Sequence, residues 1–170
     1  MVYVYANMKK TIIIGAVIAL GLAGLMLWGR SNQTAGSSQT SGAISSLSAT
    51  ETSYDFGTIS MKDGLVDHRF KIVNSSDGDI QIKKLATSCM CTTAYIESGN
   101  GEKGPFGMEG MGYLPPANET IKAGESRDIK VVYDPNAHGP AGVGRINRNV
   151  YLTDALGGAL QFEIRAVVTP

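Results

Sequence analysis

Cys89 and Cys91 are the only cysteines in this 170-residue chain, one residue apart in Thr87-Ser88-Cys89-Met90-Cys91-Thr92. On an extended segment, side chains at i and i+2 point to the same face. Two thiols so placed can chelate one soft metal ion, close a small strained disulfide, or pack side by side as small apolar groups. Met90, Met108 and Met111 add three thioethers beside the pair or in the glycine-rich stretch after it. Cysteine with methionine selects Cu(I) among the common metals. Zinc asks for four ligands, which His68 and His138 would complete, but their positions lack finger spacing. His68 alternates with Phe70 on an apolar face and is expected as a satisfied core histidine. His138, in Asn136-Ala137-His138-Gly139, is expected as a solvated turn residue, and Met108 and Met111 as incidental loop methionines. Two readings of the pair stay open: a structural one, and a metal or thiol-redox one with copper as the cofactor.

Other chemistry finds little support. The chain has no G-x-S-x-G elbow. Its carboxylates are scattered through turns and exposed strand faces, where solvation accounts for them. A cysteine nucleophile needs an activating base, and spacing alone brings neither histidine to Cys89 or Cys91. Gly99-Asn100-Gly101-Glu102-Lys103-Gly104 spells G-x-G-x-x-G, but Pro105 and Gly107 argue against the helix that a dinucleotide site requires. The sequons at Asn32, Asn74 and Asn118 matter only in a secretory eukaryotic host. The expectation is a protein that is not an enzyme and holds no resident cofactor.

The elements that must position the pair begin after a long apolar run. Lys9 and Lys10 precede an uncharged stretch over residues 11–28, and Arg30 follows it. At about 1.5 Å per residue this stretch is ~27 Å long as a helix, close to the ~30 Å of a bilayer core. It exceeds the apolar stretch of a cleaved signal peptide and lacks a good small-x-small site. The spacing predicts an uncleaved signal anchor over residues 11–29. Lysines on its N-terminal side keep residues 1–10 in the cytoplasm and place the remainder outside. Residues 30–43 are rich in serine, glycine and threonine and read as a flexible tether. Residues 44–170 are enough for one domain of ordinary size. That part carries twelve basic and fifteen acidic residues. With no basic stripe, nucleic acid is excluded as a partner. The expected partners are the membrane, through the helix, and a protein that the sequence does not identify.

Period-two alternation dominates from Tyr54 onward. Val66, His68, Phe70 and Ile72 form one face, as do Ile80 with Ile82, Ile129 with Val131 and Tyr133, Val150 with Leu152, and Leu160 with Phe162 and Ile164. Turn residues separate these runs, as in Asn74-Ser75-Ser76-Asp77-Gly78 and Asp134-Pro135-Asn136. About seven short strands, each with one buried face, predict an all-β, immunoglobulin-like sandwich after the transmembrane helix. Phe70, Ile82, Val131, Val150 and Phe162 are the expected core. Residues 97–120, with six glycines and Pro115-Pro116, interrupt the alternation and are expected as a long loop.

Four segments carry a resemblance. Tyr54-Asp55-Phe56-Gly57-Thr58-Ile59 resembles the F-D-F-G-T opening of a bacterial domain-of-unknown-function family, number fifteen seventy-three. His68-Arg69-Phe70 with Asn74 is similar to its H-x-F…N segment. Thr87 to Thr92 resembles its T-S-C-G-C-T signature, and Val131-Val132-Tyr133-Asp134-Pro135 its closing strand. The resemblance implies an immunoglobulin-like sandwich related to abnormal-spindle, Hydin and major-sperm-protein modules, often exported. Met90 replaces the family's usual glycine, so a backbone conformation that needs glycine there is called into question.

Overall fold

Alternating apolar residues become strands here because each buries one face and leaves the other in water. The computed structural model describes residues 45–99 and 101–170. The strands are β1 (Leu47–Ala49), β2 (Ser53–Ser60), β3 (Val66–Asn74), β4 (Ile80–Thr87), β5 (Thr92–Ser98), β6 (Gly101–Phe106), β7 (Glu119–Ile121), β8 (Ser126–Tyr133), β9 (Gly144–Asp154) and β10 (Ala159–Thr169). Short 3-10 turns occupy Met61–Asp63 and Gly139–Gly142. One sheet runs β1-β3-β8-β5-β6 and the other β2-β10-β9-β4-β7. Neighbours are antiparallel except β2, which runs parallel to β10 at one edge. The result is an immunoglobulin-like, two-sheet sandwich. The expected anchor at residues 11–29, the cytoplasmic segment 1–10 and the tether 30–43 lie outside the described residues. Among the described residues, no helix is long and apolar enough to cross a membrane.

All five expected core residues are fully buried, within one apolar cluster that draws on both sheets. An aromatic ladder runs from the margin into this cluster. Tyr54 stacks on His68 with ring centroids 3.6 Å apart, His68 meets Phe70 edge-on at 4.8 Å, and Phe70 stacks on Phe162 of the opposite sheet at 4.9 Å. His68 Nε2 lies 2.6 Å from Glu51 Oε1. The histidine is satisfied, as expected, although it sits at the margin of the core with a fifth of its side chain exposed.

Strand number and the 97–120 segment differ from expectation. Among the described residues, ten strands replace about seven because three are short or carry no alternating pattern. β6 lies inside the expected loop and forms a hairpin with β5. Its Gly-Glu-Lys-Gly-Pro sequence is exposed and only Phe106 is buried, so backbone pairing defines the strand. Gly104 takes φ +150° and passes directly over Tyr95: a Cβ there would stand 2.6 Å from the ring. β7 also falls in the expected loop, leaving residues 107–118 as the irregular stretch.

The two sheets are tied at one flank by ion pairs. Lys103 of β6 and Arg127 of β8 both contact Glu119 of β7, each at 2.9 Å. Burial pushes the Glu119 carboxyl up, but the hydrogen bonds from Lys103 and Arg127 outweigh it and hold the group below its ordinary value. On the outer face, Arg69 bonds Glu97 at 2.8 Å and lowers that carboxyl too.

Candidate functional site

The cysteine pair sits in the turn joining β4 to β5, and those strands belong to different sheets. It is therefore a crossover at one end of the sandwich. The i, i+2 spacing alone predicts an extended segment. The structure corrects this: Thr92 N–H donates to Cys89 C=O at 3.1 Å, closing a turn of four residues. The turn, not strand alternation, brings the sulfurs together, and they form a disulfide with Cα atoms 5.2 Å apart. Met90, at the second turn position, does not adopt positive φ, so this backbone needs no glycine there.

The flanking threonines explain the rest of the signature. Thr87 and Thr92 are both buried. The Thr87 hydroxyl spans the turn, 3.0 Å from Cys89 C=O and 2.9 Å from Thr92 C=O. Ser88 exchanges two bonds with Asn149 of β9, each 2.9 Å. Asp134 N–H donates to Cys91 C=O at 2.9 Å, which ties the β8–β9 crossover to the cysteine turn. Thr87 N–H donates to Gly107 C=O at 3.0 Å, and Thr87 forms a parallel bridge with Met108. Three connections thus meet at this end.

The surroundings of the two sulfurs differ. Cys91 is 2% exposed, and its Sγ accepts a hydrogen bond from Arg148 Nε at 3.2 Å. Cys89 is only partly buried. Its Sγ accepts from the Cys91 N–H at 3.2 Å and lies 3.2 Å from His138 Nε2. Buried Tyr133, opposite Thr92 on β8, is also close to Arg148. Burial pushes its hydroxyl above the ordinary value, while the Arg148 charge draws it back down.

His138 corrects the sequence reading. It is exposed and in a turn, as expected, but it faces the cysteine pair instead of bulk water alone. The ligand atoms of Cys89, Cys91 and His138 all lie within 4.8 Å of one another. Two thiolates and an imidazole suit Cu(I), and the disulfide would first have to be reduced to free the sulfurs. His68 takes no part, being held in the aromatic ladder. Met90 and Met111 are more than half exposed, and Met108 is 37% exposed. Nothing in the sequence marks Arg148 as part of the site. It lies on exposed-looking Arg145-Ile146-Asn147-Arg148, where no local pattern links it to a cysteine 57 residues away.

The threonine-clamped cysteine turn and the His68, Phe70 and Asn74 positions all fall within one stretch. Residues 47–107 match the family model described as protein of unknown function, DUF1573. The resemblance read from Tyr54–Ile59, His68–Asn74 and Thr87–Thr92 therefore holds, while Val131–Pro135 lies beyond the matched residues. No curated protein matches the chain. Among solved structures, a protein of unknown function from Porphyromonas gingivalis W83 is 15% identical with a TM-score of 0.52, over 74% of this chain and 50% of that one. The secreted serine protease VesC from Vibrio cholerae is 14% identical with a TM-score of 0.46, over 73% of this chain and 24% of that one. The ASH/PapD-like domain of human CEP192 is 10% identical with a TM-score of 0.47, over 81% and 95%. This chain thus spans half or less of the first two, and the likeness to the first bears on the fold alone.

Proposed function

We propose that this protein, similar to the DUF1573 family over residues 47–107, is a non-catalytic binding or assembly module displayed outside the cytoplasmic membrane. Residues 11–29 are its anchor and residues 30–43 its tether, giving the sandwich lateral reach. The observation that carries the reading is the end of the sandwich where three connections converge. There Met90 and Met111 stand exposed on turns fixed by a disulfide and by backbone hydrogen bonds. Flexible, polarizable methionines on a rigid platform suit contact with a protein surface. A photoreactive residue introduced at position 90 or 111 should give discrete protein adducts in intact cells. The same residue at Leu156, which is more exposed still but lies at the opposite end, should not. Adducts from position 156 alone would contradict the assignment.

A second reading is favoured by one observation, the convergence of Cys89, Cys91 and His138. It is a Cu(I)-binding or thiol-redox protein that uses this pair.

A further inference from the structure

The two sulfurs of the Cys89–Cys91 disulfide have unequal surroundings. We propose that the turn is a directional disulfide-exchange centre. In it, Cys89 is the sulfur attacked by an incoming thiolate and Cys91 is the leaving thiolate, held by Arg148. The proposal rests on the thiol-redox form of the second reading above and adds to it the order of events, a positioning residue and the class of co-reactant, a dithiol.

Exchange requires a thiolate to reach one sulfur and displace the other, and its rate depends on access and on how well the departing thiolate is stabilised. Cys91 is 2% exposed and shielded by core residues, so it cannot be the point of entry. Cys89 packs at the core margin and is less deeply buried than Cys91. The Arg148 Nε–H, 3.2 Å from Cys91 Sγ, is a permanently charged donor aimed at the sulfur where negative charge develops. His138 Nε2 and the Cys91 N–H lie 3.2 Å from Cys89 Sγ, where charge develops in the second step.

The electrons balance with a dithiol as reductant. Its first thiolate attacks Cys89 Sγ. A donor–Cys89 bond forms, the Cys89–Cys91 bond breaks, and the electron pair leaves on Cys91 Sγ beside Arg148. The donor's second thiolate then attacks the donor sulfur of that mixed disulfide. The donor's disulfide closes and departs, and Cys89 is left as a thiolate beside His138. The donor loses two electrons and the cysteine pair gains them. The two protons shed by the donor pass to solvent or to the cysteines. Run in reverse, the oxidised turn is regenerated by a disulfide of the same class.

The test uses the full chain in detergent, oxidised, and treated with glutathione as a monothiol probe. Acid quenching, alkylation and peptide mass spectrometry locate the glutathione. At least ten-fold more adduct is expected on Cys89 than on Cys91. Arg148→Met should slow the first step about ten-fold, and Arg148→Lys, which keeps the cation, should recover part of the rate. Thermal unfolding of both variants checks that the fold survives. If Arg148→Met is too unstable, the adduct position in wild type and the Arg148→Lys rate still decide the matter. Equal adduct on both cysteines, adduct mainly on Cys91, or an unchanged rate in a folded Arg148→Met chain overturns the direction while leaving thiol-redox chemistry standing. No reaction of the folded chain with glutathione overturns both.

Discussion

The cysteine turn shows how much one residue position depends on distant ones. Its sequence, Thr-Ser-Cys-Met-Cys-Thr, announces two thiols that can meet. It does not announce Arg148 and His138, which arrive from β9 and from the β8–β9 connection. The same holds for two buried polar residues. Asn74 donates to Gly78 C=O at 2.7 Å and Ile121 C=O at 2.9 Å, stitching β3 to the far sheet. Asp154 accepts from Ser45 Oγ at 2.6 Å and from the Leu156 and Gly158 N–H groups. As single letters both read as ordinary turn residues, and their value lies in partners up to 109 residues away. The copper reading belongs at this scale. The chain reduced with a dithiol should bind about one Cu(I) in competition with a chromogenic chelator. Cys89→Ser/Cys91→Ser should abolish that binding, and His138→Ala should weaken it. Wild type that fails to compete, or unaltered binding by the double serine variant, would remove copper from the account.

At the scale of elements, period two was a faithful guide wherever one face was buried. The central strands β3, β8, β9 and β10 carry enough alternating apolar residues to be read directly, and their core residues are buried as expected. β6 and β7 escaped because edge strands have little core to pattern them. β6 instead presents Glu102, Lys103 and Pro105, residues that discourage edge-to-edge association. The ion pairs that bind these edges have a consequence in acid. The Glu119 and Glu97 carboxyls are held below their ordinary values in the folded state. A depressed carboxylate contributes stability that is fully present above the unfolded value, about 4.3 for glutamate. That stability is lost as pH falls through the lower folded value. Denaturant titrations should therefore show stability dropping below about pH 4.3, and Glu119→Gln should lower stability at neutral pH and flatten that acid limb. An acid limb identical in wild type and Glu119→Gln would show that the β6–β7–β8 ion pairs do not contribute.

At the scale of the whole molecule, the sandwich is legible because its two faces must differ. Its motif residues are mostly structural: Tyr54, His68 and Phe70 build the aromatic ladder that reaches Phe162 across the core. Phe70→Ala should cost about 3–5 kcal/mol, read by chemical unfolding. A loss below about 1 kcal/mol would take the ring out of the list of groups that hold the sheets together. The proposed placement in the cell rests on the length and flanking charge of residues 11–29. A tethered module outside the cytoplasmic membrane would leave its sandwich open to added protease. Protease added to intact spheroplasts producing the full chain tests it most directly. The expected result is degradation of the domain while a short fragment stays with the membrane. A fully protected domain, or a soluble one released without protease, would contradict it.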